Sequence, residues 1–558
     1  MHDGELVDFV PVVEGSEDSD EVEVVDAVVR TDHDQPIAHE RRAAPRPCLT
    51  RASCSVASST ASGVGGAARQ RVRPRVRTRY GRQTSRKHEG AGLVDAQRVL
   101  FRHGTVITMD PAIGDLPVGD VLVYGNLIEA VDANLGEVDA EVVDATGKIL
   151  IPGFVDTHRH TWQAPLRGIA ADWTLGQYMT GLHLGLSGLF RPEDTYAGNL
   201  LGAVEALESG ITTLLDWSHN VNTPEHCDGA VAGLRESGIR AIFAHGGGAD
   251  MYQVPSTVPH DEDVRRVREE HFSSDDQLVT MAMALRGPQF ATLDVTVHDL
   301  ALARELGLLV TMHVGDGEWG RSRPVGRMCE RGVLGCDITY VHCNTVADDE
   351  LRMIADSGGS ASLAPDIEMQ MGHGWPATGR LMQVGVRPSL SIDTCVSNGG
   401  DMFGTMRITL ATQRALDNQE SGASDRPAVT LTSRDVLSFA TIDGARACGL
   451  DHKVGSLTPG KQADIVLLAA DTPVLSPVNN PVGQVVYAAH PGLVDTVMVA
   501  GRFAKRRGAM LGQVTRRAVE VAAATRDALF ERAARTEALT DARTGGDWQP
   551  APLVTALG

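Results

Sequence analysis

Five polar side chains close otherwise apolar runs, and their types are those that hold a metal ion and move protons beside it. In GFVDTHRH, residues 153–160, His158 and His160 are separated by one position. Positions i and i+2 of a strand share a face, so both imidazoles can converge on one object. His313 in VTMHVGD, His342 in TYVHCN and Asp393 in SIDTC end similar runs further along. Three imidazoles plus a carboxylate, with one position left for water, match a catalytic metal centre better than a closed structural one. Zinc is favoured, and iron fits the same ligands.

Such residues need a frame that gathers strand ends at one place. From Gly153 onward, eight short apolar runs alternate with helical stretches that end near glycine: 153–160, 210–220, 239–248, 278–287, 307–317, 337–344, 360–368 and 386–395. Eight strand-then-helix units in series predict an α/β fold, a (β/α)8 TIM barrel whose chemistry lies at the carboxyl ends of its strands. Hairpin-like strands at 96–150 and again at 453–512 bracket the barrel region 151–452. Two β-rich pieces around a long middle predict that the barrel is inserted into one small composite β-sandwich. Residues 513–558 read as a helix and a tail. Residues 1–95 are acidic, then rich in Arg, Ser, Ala and Gly, a composition that buries too little apolar surface to fold, and they are expected to form a disordered extension.

The chain has 558 residues and a formal net charge of −21, which repels phosphate backbones and argues against a nucleic-acid partner. No apolar run is long enough to cross a bilayer, and MHDGELVDFV lacks the order of a secretory signal, so no membrane partner is expected and a cytoplasmic protein is. The eight cysteines form no CxxC pair. Cys343 and Cys395 neighbour His342 and Thr394, and are expected to be core thiols turned away from the barrel axis.

The motifs PGFVDTHRH, the later strand-end histidines and SIDT resemble the amidohydrolase superfamily over residues 96 to 510. LRGIA after the first strand and DTCVSNGGDM from Asp393 to Met402 resemble its cytosine deaminase and triazine hydrolase branch. The resemblance implies that His158, His160, His313 and Asp393 hold one divalent metal ion and that His342 polarises the substrate. It also implies a homo-oligomer. Binuclear members bridge two metals through a carbamylated lysine, and this chain has no lysine between Lys148 and Lys453. A single metal is therefore the natural reading.

Deaminases of that branch carry a proton-shuttling glutamate three residues after the strand-five histidine. Here Asp316 stands at that position, with Glu318 as the other candidate acid. Trp162 and Gln163 after the first histidine pair, Trp217 and His219 at the end of strand two, and Glu368 at the end of strand seven are expected to contact a small, flat, amino-substituted substrate. His183, His245 and His373 read as structural or outer-rim residues. The function expected is metal-dependent hydrolysis, through an activated water, of a C–N bond in an amino-substituted heterocycle or cyclic amidine. The alternatives are amide, lactam or carbon–halogen hydrolysis at the same site, and an inactive scaffold.

Overall fold

The computed structural model describes residues 97–248, 254–421 and 429–535. The expected extension at 1–95 and the end of the carboxyl-terminal segment lie outside the described residues. Eight parallel strands form one sheet in chain order: Phe154–Arg159, Ile211–Ser218, Arg240–His245, Val279–Leu285, Val310–Val314, Ile338–His342, Ser360–Leu363 and Ser389–Leu390. The first and last meet through a bridge between Arg159 and Asp393, which closes the sheet into a barrel. Two backbone bonds make the clasp: Asp393 N–H donates to His158 O at 2.9 Å, and His160 N–H donates to Asp393 O at 2.6 Å.

The strands are buried on both faces, as a parallel sheet covered by helices requires. Val155, Leu215, Trp217, Ile242, Ala244, Ala282 and Ala284 fill the interior together with Ala445 and Val454. Phe154, Leu214, Phe243, Met283, Val310 and Met312 belong to the larger core between the barrel and its helices.

Strands from both flanks join in a second, mixed sheet of nine strands. Lys148–Pro152, just ahead of the barrel, pairs antiparallel with Ile465–Ala469, just after it, so the two ends of the insertion are stitched together. Val99, Phe101, Val121, Val123, Leu150, Ile465, Leu467 and Met498 form the core of this sheet. Arg240, the first residue of barrel strand three, reaches the same junction with a forked pair of bonds to Asp464, at 3.0 and 2.8 Å. A planar guanidinium suits this bidentate contact and fixes the sheet against the barrel floor. No helix among the described residues is long and apolar enough to cross a membrane.

The segment that follows strand one does not run straight into a helix. It passes through short turns at Thr161–Leu166 and Leu175–Tyr178, a π-helix at Met179–Leu186 and a turn at Ser187–Leu189 before helix Pro192–Glu208. That helix lies hard against the Thr161–Leu166 turn because two of its positions are glycine. A Cβ on Gly198 would stand 2.3 Å from Trp162 O, and one on Gly202 would stand 2.7 Å from the Thr161 side chain. The first obstacle is backbone and cannot swing aside. Gly198→Ala is therefore expected to cost about 1–3 kcal/mol through overpacking, read as a lower thermal midpoint of the metal-loaded protein.

Candidate metal centre and active site

The clasp between the first and last strands explains why the first histidine pair and Asp393 face each other. Asp393 Oδ1 lies 3.5 Å from His158 Nε2 and 3.2 Å from His160 Nε2. The His313 ring sits 4.8 Å from that of His158, centroid to centroid. His342 Nε2 lies 3.8 Å from Asp393 Oδ2. Donor atoms of His158, His160 and Asp393 fall within 4.8 Å of one another, as do those of His158, His313 and His342.

Two of these residues have a backbone that non-glycine residues rarely adopt. His342 has φ +78° and Asp393 has φ +63°, with Cys343 at +60° between strand six and its loop. Such strain concentrates where surrounding structure fixes a working geometry. The left-handed turn at each strand end swings the side chain over the barrel mouth instead of letting it continue the alternation of the strand. Cys343 and Cys395 are buried and are absent from the cavity wall.

Outer contacts orient the rings. His160 Nδ1 is 3.0 Å from Trp217 O, which leaves Nε2 directed at Asp393. His342 Nδ1 is 3.2 Å from Glu368 Oε1. Glu368 is itself held by Ala364 N–H at 2.8 Å and by the Asn344 amide at 3.1 Å. Burial opposes a charge on His342, but the Glu368 hydrogen bond and the Asp393 and Asp316 carboxylates outweigh it and raise its pKa to about 9. Burial drives His158 down to about 3 and His313 well below the usual imidazole range, so both are neutral electron-pair donors. For Asp393 burial acts to raise the carboxyl, and contact with His158 and His160 overrides it, holding it well below the usual carboxylate range.

A divalent ion fits this donor set. Neither ring nitrogen of fully buried His158 has a hydrogen-bond partner among the described residues. A buried polar atom left so is costly unless something else binds it. Neutral imidazoles around an ionised carboxylate supply the donors a catalytic zinc takes.

The donors open onto a cavity at the barrel mouth. His160, Trp217, His219, His313, Asp316, His342 and Asp393 all line it. His219 stacks on His160 at 3.9 Å between centroids, and Trp162 Nε1–H donates to His219 Nδ1 at 2.9 Å. Asp316 is buried, and Gln289 donates through its amide to Asp316 Oδ1 while accepting from Gly315 N–H. Glu318 is placed elsewhere: its side chain is 78% exposed and pairs with Arg321, outside the cavity wall.

Trp162, Gln163 and Glu368 are buried one layer behind that wall. Gln163 donates to Tyr178 Oη at 2.7 Å and accepts from Thr394 Oγ1, so it braces two wall residues. Glu368 stands in the first turn of helix Pro365–Gln370 rather than on strand seven, which ends at Leu363. Its bond to His342 makes a positioning role testable. Glu368→Gln is expected to lower kcat about 10–100-fold with the metal content unchanged, checked by steady-state kinetics beside elemental analysis.

The wall also contains Arg286 and several residues for which the sequence offers little signal: Leu175, Tyr178, Met179, His183, Phe290, Met371 and His373. His183 and His373, expected at the rim or in structural roles, are both buried in the wall. His183 rides on the π-helix, whose residues MTGLHLGL follow no helical or strand period. Arg286 follows barrel strand four directly, in ALRG, and the rule that found His313 and His342 would have found it too.

Comparison with known proteins places the chain in a family. Residues 149–504 match the amidohydrolase family. The 5'-deoxyadenosine deaminase of Methanothermobacter thermautotrophicus is 33% identical over 405 residues, covering 71% of this chain and 91% of that protein. The 5-methylthioadenosine/S-adenosylhomocysteine deaminase of Symbiobacterium thermophilum is 28% identical, covering 73% of this chain and 93% of its own. Among solved structures, an adenosine deaminase from Xanthomonas campestris with bound zinc has a TM-score of 0.67 at 24% identity, over 78% of this chain and 98% of that one. Atrazine chlorohydrolase from Arthrobacter aurescens, complexed with zinc, has a TM-score of 0.68 at 21% identity, over 77% of this chain and 100% of that one.

Proposed function

The chain belongs to the amidohydrolase family, and from that premise we propose that it deaminates an adenosine-like nucleoside, exchanging the exocyclic amino group for oxygen and releasing ammonia. It is a hydrolase of carbon–nitrogen bonds other than peptide bonds. The observation that carries the reading is the meeting of His158, His160, His313 and Asp393 with His342 and Asp316 around one cavity. The substrate class follows from relatives that act on 5'-modified adenosines. It suits a wall that sets Leu175, Met179, Phe290 and Met371 beside imidazoles and a carboxylate.

His158, His160, His313 and Asp393 would hold the ion, for which we infer zinc. When bound, such an ion lowers the pKa of a coordinated water from 15.7 toward about 7. Asp393 would accept one proton of the attacking water as its oxygen bonds to the purine carbon bearing the amino group and the π pair of the adjacent C=N bond shifts to the ring nitrogen, which takes up a proton. His342, protonated and braced by Glu368, donates to the negative charge that develops there. Asp316 gives a proton to the departing nitrogen, because an amide anion leaves very poorly. Atoms balance: the water's oxygen replaces the amino group, and of its two protons one ends on the ring nitrogen and one, passed on through Asp393 and Asp316, on the ammonia. We further infer a cytoplasmic enzyme that assembles from identical chains.

His373 contributes recognition. Both of its ring nitrogens lack a hydrogen-bond partner among the described residues, although the side chain is buried in the cavity wall. A substrate hydroxyl or ring nitrogen would satisfy one of them. His373→Phe is expected to raise KM about tenfold, the worth of one hydrogen bond of ~1.4 kcal/mol, with a smaller change in kcat, measured by initial rates.

The activity itself is tested by incubating metal-loaded protein with 5'-deoxyadenosine, 5'-methylthioadenosine, S-adenosylhomocysteine and adenosine. Ammonia should appear in step with the ultraviolet change from adenine to hypoxanthine. Silence on all four nucleosides, with chloride, amine or new carboxylate released from triazines or lactams, would overturn the proposal.

A further inference from the structure

We propose that Cys227, His245 and Asp263 form a second metal site, of the zinc class, on the outer side of the barrel wall. Cys227 is on helix Pro224–Ser237, His245 ends barrel strand three, and Asp263 begins helix Asp263–Glu270. One donor atom from each lies within 4.8 Å of the others. Along strand three, Ile242 and Ala244 fill the barrel interior while Ala241 and Phe243 join the core beneath the helices. His245 continues the second series and so faces the helices, away from the catalytic cavity, whose wall it does not join.

The independent sign of a ligand is the state of the His245 ring. It is 0% exposed, and its Nε2 has no hydrogen-bond partner among the described residues. Asp263 Oδ2 is 4.0 Å away, too far for a hydrogen bond and suited to an ion between them. The other nitrogen, Nδ1, is 2.9 Å from His260 Nε2. With Nδ1–H donating to His260, Nε2 presents its lone pair toward Cys227 and Asp263, the outer-contact pattern that orients metal-binding histidines. Arg266 grips Asp263 in a fork, Nε donating to Oδ1 at 2.6 Å and Nη2 to Oδ2 at 3.1 Å, which fixes the carboxylate and leaves a second lone pair on Oδ2. The Asp263 side chain is 10% exposed, so an ion has a way in.

A thiolate, an imidazole and a carboxylate are zinc donors, and the soft sulfur disfavours magnesium and calcium. Binding releases the Cys227 proton to solvent as the sulfur–metal bond forms. The ion would then join strand three to the two helices that cover it, a structural role separate from turnover.

Cobalt(II) tells the two sites apart, because the catalytic donors include no sulfur. Apo-protein titrated with cobalt(II) should bind two equivalents per chain, one of them accompanied by a near-ultraviolet sulfur-to-cobalt charge-transfer band. Cys227→Ser and, independently, His245→Gln should each bind one equivalent and lose the band while keeping the visible bands of the catalytic ion. A Cys329→Ser/Cys336→Ser variant, which removes two exposed thiols, should retain both equivalents and the band. One equivalent without the band in the wild type overturns the proposal, and so does a band that survives Cys227→Ser.

Discussion

Asp393→Asn is expected to lower kcat/KM for deamination at least about 10³-fold, within the range for loss of an essential acid–base group, and to leave the catalytic site depleted of metal. Asp393 does two separable things. Its backbone N–H and C=O clasp strand one and close the barrel. Its carboxylate meets His158, His160 and His342. Asparagine removes only the second role, and like aspartate it is among the non-glycine residues most often found near φ +63°. The variant should therefore fold, with unchanged far-ultraviolet circular dichroism, while elemental analysis after dialysis shows the loss. A folded Asp393→Asn enzyme that keeps its catalytic metal and works within tenfold of the wild type would remove Asp393 from the centre.

The same residue shows how far the sequence reaches. SIDTC reads as the end of an eighth strand, yet the strand proper is only Ser389–Leu390, and Asp393 lies beyond it at a left-handed turn. Strand alternation therefore does not aim its carboxylate; the clasp to His158 and His160 does. His342 is similar, with strand register carrying it to the barrel mouth and a positive φ turning it inward. Barrel order and strand-end chemistry were legible because eight apolar runs recur, five of them with a histidine near the end, and repeat one rule. The wall was less so. Tyr178, His183, Met371 and His373 come from irregular turns whose course is set by packing against Trp162, Leu166 and the carboxyl-terminal helix Val514–Arg535, through Leu529 and Ala533. That packing is long-range and leaves no period in the sequence. Trp162, Gln163 and Glu368 have side chains suited to binding, but depth separates them from the cavity, and depth is not written in residue type.

Asp316→Asn is expected to slow deamination about 10²–10⁴-fold, the range for one positioned proton donor. A short carboxylate can serve where a longer one is usual because Gln289 grips Oδ1 from strand four's loop and anchors itself on Gly315 N–H, so the acid is held in the wall rather than left to sample solvent. The proton it carries matters only when the leaving group needs one. A 6-chloropurine nucleoside supplies the contrast, since chloride departs as a stable anion. With that substrate Asp316→Asn should stay within about tenfold of the wild type, because water attack still has Asp393 as its proton acceptor. Asp316→Glu should recover much of the deamination rate, as it restores a carboxylate at the same wall position, and Glu318→Gln should change neither reaction because that side chain pairs with Arg321 in solvent. Equal losses on the amino and chloro substrates would mean that Asp316 acts on the attacking water or on binding, and the assignment of proton delivery to the leaving nitrogen would fail.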